Sequence, residues 1–339
     1  MYQPVVFLAK IPKSYTTFAF MRNAITTDIA YCQELLKDNQ LVAIPTETVY
    51  GLAANAFDTD AVSQIFKMKG RPRFNPLIVH IHDLKQLDDL ATDIPNVAMK
   101  LAKAFWPGSL TLILPKQLSV PDIITAGKPT VGVRMPNHPM TLELLKGLPF
   151  PLAAPSANPF TRVSPTSAEH VAHYFGERIP AILDGGPCQV GLESTIIGFD
   201  GNTPVVYRKG GISIEAIEEV VGKVALLTEN NTAPQAPGML VKHYSPSTRL
   251  IVSHSVLESI QKNQHLKLGV LTFDSSYKGE NIVLRMLSEE GDLKEAAKKL
   301  FSTLHELDAL NLDLIIAEKF PETGLGKSIN DRLHRAITE

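Results

Sequence analysis

The 339-residue chain carries 33 Lys and Arg against 35 Asp and Glu, and 44% of it is hydrophobic. That balance excludes a wholly disordered chain and a generally polybasic nucleic-acid binder, so any anion site must be local. Cys32 and Cys188 stand far apart with no CxxC, which argues against a disulfide framework or a thiolate zinc site and fits a reducing compartment.

No apolar run approaches the roughly 20 residues of a membrane span. Residues 1–23 carry lysines, Ser and Thr, lack acids, and are broken by Pro12; they read as an untargeted extension. Thr27 or Asp28 then caps a helix reaching Lys37, and "LVAIP" (41–45) follows as a buried strand. "DTDAVSQIFKMK" predicts a helix capped by Asp58 or Thr59, with Val62, Ile65 and Phe66 toward the core and Gly70 as its C′ residue. "PLIVHI" (76–81) is the next strand. Further strands are expected at "LTLILP", "TVGVRMP", "PLAAPSA", "AILDGG" and "STIIGFD", with helices near 97–105, 140–145 and 167–174. The result is a mixed α/β domain over residues 24–228. Residues 229–248 are polar and proline-punctuated, and read as a linker. From 249 to 339 strands alternate with helices, one of which aligns Leu293, Ala296, Ala297, Leu300, Phe301, Leu304 and Leu307 on one stripe. That alternation predicts a small parallel-sheet domain.

"KMKGRPRFNPLIVH" places Lys67, Lys69, Arg71 and Arg73 within seven residues, and no acid occurs between Asp60 and Asp83. Arg gives an anion bidentate contacts and Lys a point charge. By itself the loop fits a phosphate or carboxylate site and a solvated basic turn equally. Other strand ends share its character. "PTETVYGLAANA" offers Thr46, Thr48 and Tyr50; "APSANPFTRVSPTS" offers Ser156, Asn158 and Ser164; "VGVRMPNH" ends on Arg134; "GLESTIIG" offers Ser194 and Thr195; "VVYRKGGIS" ends on Arg208. So many hydroxyls and cations with few acids point to one anionic ligand with several acceptor groups. His80 ends an apolar strand, and His243 lies in the linker beside Tyr244 with no packing reason of its own. "TGLGKS" (323–328) is a false P-loop: the required earlier glycine is Pro321, and the stretch reads as a loop ended by Gly326 and a helix capped by Ser328.

Taken together, "PTETVYGL", "KGRPRFNPLIVH", "VGVRMPNH", "PSAN", "ESTI", "YRKGG" and "PGMLVKHYSP" resemble the YrdC-like threonylcarbamoyl-AMP synthases, and "GLGKSINDRLHRA" resembles the end of the long form with an extra C-terminal domain. The resemblance implies a YrdC-like twisted mixed α/β sheet lining a deep positive cavity. A small Rossmann-like parallel-sheet domain follows, with residues 229–248 covering the site. It implies a cytoplasmic nucleotidyltransferase that joins L-threonine, bicarbonate and ATP into L-threonylcarbamoyladenylate and releases pyrophosphate. The product feeds modification of the adenosine beside the anticodon. tRNA and the downstream threonylcarbamoyl-transferase complex would be partners, double-stranded RNA binding is expected, and no membrane is involved.

Carried over residue by residue, the resemblance assigns Thr48, His80, Arg134, Ala154 and Ser194 to L-threonine, with Arg134 on its carboxylate. It assigns Arg71, Asn75, Thr130, Ser156, Asn158, Ser164, Arg208 and Tyr244 to ATP, and it sets Lys69 and Arg71 near the reacting groups. Mg²⁺ is expected with the ATP, held by phosphate oxygens and water, and no protein ligand is named for it. No catalytic carboxylate is expected either, because the chemistry concentrates negative charge. Lys242 stands where the family commonly has arginine, which keeps charge but loses forked donation. Two other readings compete: an RNA-binding protein on the same fold, disfavoured by the near-neutral charge, and a carbamoyl-transfer module of a larger enzyme, disfavoured because no cysteine-rich segment accompanies it.

Overall fold

The computed structural model describes residues 24–227, 243–279 and 281–338. The expectations for residues 1–23, for 229–242 of the linker and for Lys242 lie outside the described residues. Helices begin where a short carboxylate meets orphan amides. Asp28 accepts from Tyr31 N at 2.9 Å before α1 (Ile29–Lys37), and Asp58 accepts from Ala61 N at 2.7 Å before α2 (Thr59–Lys69). Gly70 ends α2 at φ 62°, a left-handed conformation open to glycine without a Cβ penalty.

In chain order the first domain runs β1 (Ile25–Thr26), α1, β2 (Val42–Ile44), β3 (Gly51–Asn55), α2, β4 (Ile78–His80), α3 (Leu87–Leu90), α4 (Asn96–Phe105), β5 (Leu110–Pro115), α5 (Asp122–Thr125), β6 (Thr130–Arg134), α6 (Pro139–Lys146), β7 (Leu152–Ala153), α7 (Ala168–Phe175), β8 (Ala181–Leu183), β9 (Thr195–Asp200), β10 (Thr203–Arg208), α8 (Ile214–Val221) and β11 (Ala225–Leu226). Its strands form one mixed sheet in the order β1-β8-β2-β3-β7-β4-β6-β5-β9-β10-β11. Two pairings position the site. β4 and β6 run parallel with His80 opposite Arg134, and β5 runs parallel to β9 with Leu110 opposite Thr195. Prospective ligands therefore end together on neighbouring strands.

The second domain holds β12 (Leu250–Ser253), α9 (Val256–Lys262), β13 (Leu268–Thr272), β14 (Ile282–Met286), α10 (Leu293–Asp308), β15 (Leu314–Glu318) and α11 (Gly326–Ala336). Its strands are all parallel, in the order β12-β15-β13-β14. The apolar stripe of α10 is buried from Ala296 to Leu307, with Leu293 only partly covered. One core spans both domains: Val49, Val163 and Leu192 of the first pack with Leu300, Phe301 and Leu304 of α10.

Two strands appear where none was expected, and one expected cap is not formed. "GLAAN" is a strand, β3, although it lacks β-branched residues: Gly51 lets the backbone approach Ala154, where an added Cβ would sit 3.2 Å from the Ala154 Cβ. "IVLRM" forms a fourth strand, β14, in the second domain. Ser328 does not cap a helix. α11 begins two residues earlier, and Ser328 Oγ instead donates to Gly210 O of the first domain at 2.9 Å.

Candidate active site

A cavity opens where these strand ends meet. It is lined by Thr46, Thr48 and Val49 of the β2–β3 turn, Gly51 at the start of β3, Arg71 beyond α2, Ile78 and His80 of β4, and Arg134 of β6. Ala154, Pro155 and Ser156 after β7, Glu193 and Ser194 before β9, Arg208 of β10, and His243 with Tyr244 complete the wall. Of the fourteen residues assigned from the sequence, Thr48, Arg71, His80, Arg134, Ala154, Ser156, Ser194, Arg208 and Tyr244 come together here.

The other five lie outside the lining. Lys69 is buried and its ammonium donates to the carbonyls of Ser156 (2.5 Å) and Asn158, so it shapes the 156–158 loop. Asn158 Nδ2 is taken by the carbonyls of Pro159 and Arg162. Ser164 Oγ donates to Glu193 at 2.6 Å. The carbonyl of buried Asn75 accepts from Arg71 Nε at 3.2 Å. Thr130 begins the strand that Arg134 ends, roughly 13 Å away at ~3.3 Å per residue. Tyr50 also turns from the cavity, donating to Gly186 O at 2.8 Å.

Two carboxylates stand among these hydroxyls and cations, each paired to an arginine. Glu47 lies 2.6 Å from Arg134 Nη2 and accepts from Ser109 Oγ and Asn137 N, tying three loops together. Glu193 lies 2.8 Å from Arg332 Nε, and Arg332 comes from α11 of the second domain. Arg208 donates to Ser194 O from Nε and Nη2, and Ser194 Oγ sits 2.7 Å from Thr111 Oγ1. His243 is buried, its ring packed beside Tyr244 and edge-on to Phe160. Packing thus explains the linker histidine for which the sequence offered no reason.

Burial and crowding of cations govern the charges. Burial, reinforced by Arg208, lowers Arg71 to about 9, and burial with Arg71 nearby pulls Lys69 well below its ordinary value. Burial and Arg134 drive His80 down to about 3. Burial, with Arg71 and Lys69, drives His243 well below the usual histidine range. Both rings are therefore neutral at neutral pH. Three lining residues carry buried polar atoms without a protein partner: His80 Nδ1, His243 Nδ1 and Tyr244 Oη. Native interiors rarely leave such groups unsatisfied, so the cluster marks a place built for a polar ligand.

A family model described as "Telomere recombination", for the Sua5, yciO and yrdC proteins, matches residues 34–210, and one described as "Threonylcarbamoyl-AMP synthase, C-terminal domain" matches residues 212–337. The chain is 44% identical over 324 residues to the threonylcarbamoyl-AMP synthase of Bacillus subtilis, covering 91% of this chain and 92% of that one. The chain belongs to the threonylcarbamoyl-AMP synthase family. It is also 43% identical over 316 residues to the Pyrococcus abyssi synthase, covering 89% of this chain and 91% of the relative. Among solved structures, P. abyssi Sua5 complexed with L-threonine superposes with a TM-score of 0.85 at 42% identity, covering 91% of this chain and 95% of that chain.

Within this synthase family fold, sequence reasoning missed Glu47, Glu193, His243 as a wall residue, and Arg332. Glu47 and Glu193 were visible inside "PTETVYGL" and "ESTI", as the acids within otherwise hydroxyl-rich motifs. Arg332 stands inside "GLGKSINDRLHRA", but nothing local signals its pairing, because its partner lies 139 residues away in sequence.

Proposed function

We propose that this cavity is where the synthase forms L-threonylcarbamoyladenylate from L-threonine, bicarbonate and ATP. The observation that carries the reading is the convergence of Arg71, Arg134 and Arg208 with Thr48, Ser194 and a neutral His80 in one buried cavity. Arg134, with Thr48, His80, Ala154 and Ser194, holds L-threonine by its carboxylate and hydroxyl. Arg71 and Arg208, with Ser156 and Tyr244, face the nucleotide. Lys69, Asn158, Ser164 and Asn75 support that side from behind the wall, and Thr130 stands farther out at the start of β6.

The neutral threonine amine attacks the carbon of bicarbonate with loss of water, or of carbon dioxide with loss of a proton, and a carbamate forms. The resulting carbamate oxygen attacks the α-phosphorus of ATP and pyrophosphate leaves. Each step gathers negative charge, which fixed cations in a low-dielectric site stabilise. Neutral His80 and His243 can accept hydrogen bonds without adding a repelled charge. Glu193 in the wall and Glu47 beside Arg134 are both committed to arginines, and no cluster of metal-ligating side chains occurs among the described residues. Mg²⁺ would be carried on the phosphates and water, and when bound it would offset phosphate charge.

The product serves tRNA threonylcarbamoylation in the cytoplasm, with tRNA and the transferase complex as the later partners. No helix among the described residues is long and apolar enough to cross a membrane. The test is pyrophosphate release by purified protein with ATP, bicarbonate and Mg²⁺ across a panel of amino acids. Release should require L-threonine; turnover without it, or none at all, would overturn the reading.

A further inference from the structure

Arg332 does not line the cavity, yet it grips the wall from behind. It is 1% exposed and sits on α11 of the second domain. Its Nε meets Glu193 at 2.8 Å, its Nη2 donates to Lys209 O at 2.9 Å, and its Nη1 meets Asp331 at 2.6 Å. Its guanidinium carbon stands 5.1 Å from the centroid of the Tyr244 ring. Three of these contacts touch the nucleotide wall: Glu193 lies in it, Lys209 follows Arg208, and Tyr244 closes it. We propose that Arg332 is a positioning residue for the nucleotide half of the site, through which the C-terminal domain sets the charge and shape of a cavity built by the first domain.

Two physical arguments support this, and both rest on the assignment of that half to ATP. The first is charge allocation. Burial opposes ionisation of Glu193, but Arg332 and, after it, Arg208 hold its carboxyl below the usual range. While Arg332 neutralises Glu193, that carboxylate draws less on Arg208, which lines the cavity and donates to Ser194 O. Without Arg332 the buried carboxylate must protonate or draw on Arg208, because a lone buried charge is strongly disfavoured. The second is shape. Tyr244 holds a left-handed backbone at φ 66°, which a non-glycine residue keeps only when its surroundings enforce it. Arg332 lies over its ring, and Phe301 stacks on the ring at 5.5 Å and 30°. Both clamps come from the second domain.

The experiment compares wild type, Arg332→Gln, Arg332→Lys and the double variant Arg332→Gln with Glu193→Gln, reading KM for ATP and for threonine from pyrophosphate release. Arg332→Gln should raise KM for ATP about tenfold or more while threonine KM changes less than about threefold; Arg332→Lys, charged but unforked, should fall between. Removing Glu193 as well should recover part of the lost ATP affinity, since no charge is then stranded. Equal changes in both KM values, no change in either, or a double variant no better than Arg332→Gln would overturn the proposal. If Arg332→Gln fails to fold, the double variant is compared with wild type directly: folding with ATP KM within about tenfold supports the proposal, and loss of folding or of ATP affinity overturns it. A wild-type protein that releases no threonine-dependent pyrophosphate would instead remove the underlying assignment, and the proposal with it.

Discussion

Arg134 already has a carboxylate beside it before any ligand arrives. Glu47 stands 2.6 Å from its Nη2, and both side chains are almost fully buried. Breaking such a pair by removing one partner costs roughly 3–5 kcal/mol, because the other charge is left unpaired. Arg134→Ala should weaken threonine binding by about 100-fold and leave ATP binding nearly unchanged, a split that calorimetric titration of each ligand reads directly. Glu47→Gln makes the complementary test. It strands the Arg134 cation, so the unliganded protein should melt earlier. Threonine then supplies the missing carboxylate, and its stabilising shift in Tm should be larger in Glu47→Gln than in wild type. An equal shift would show that Glu47 and threonine do not address the same cation. The histidines give a pH signature. His80 and His305 are held near 3 and His170 near 4, chiefly by burial, with His243 also well below the ordinary 6.5. The unfolded chain therefore takes up protons first as pH falls below 6.5. Stability should be complete above that value and decline toward pH 4, by up to about 1.4 kcal/mol per pH unit for each histidine. Denaturant titrations between pH 7.5 and 5 would measure the slope; a flat profile would mean these rings are not buried and neutral.

Elements that close on themselves were the most legible. Asp28 and Asp58 as caps, Gly70 as a stop and the α10 stripe follow from rules acting within one or two turns, and each is observed. What failed involved a partner element. β3 is a strand because Gly51 admits Ala154, and Ser328 reads as a cap until Gly210 of the other domain is seen to accept its proton. The same close fit appears where α10 meets the loop before β9. Gly191 lies at φ 72°, and an added Cβ would stand 2.4 Å from Lys298 O. Backbone on that helix cannot withdraw cheaply. Gly191→Ala therefore combines an unfavourable conformation with overpacking and should cost about 2–4 kcal/mol in chemical denaturation. Because the loop continues into Glu193 and Ser194, the same substitution should raise KM for substrates in the protein that remains folded. A loss of stability without any change in KM would separate the interface from the site.

At the scale of the whole molecule, the seven motifs announced that strand ends converge, and nine of fourteen assigned residues do line the cavity. Their sequence could not report that the wall is finished from outside. The Arg332–Glu193 pair and the packing of Tyr244 on Phe301 each join distant segments, and no local pattern encodes which cation will reach which acid. The same contacts determine how the chain should unfold. Inter-domain interfaces that are small and polar let domains melt separately. Here Val49, Val163 and Leu192 share a buried core with Leu300, Phe301 and Leu304, while Ser328 and Arg332 bind the first domain's backbone. Separating the domains would expose that apolar surface and leave Glu193 buried without its arginine. The two sheets should therefore unfold as one unit, with calorimetric and van't Hoff enthalpies in agreement. Threonine at about 100 times its Kd should add roughly 2.7 kcal/mol to that single transition. Two resolved transitions, with only the first domain's shifted by threonine, would show instead that the second domain is a passenger on the site rather than part of its wall.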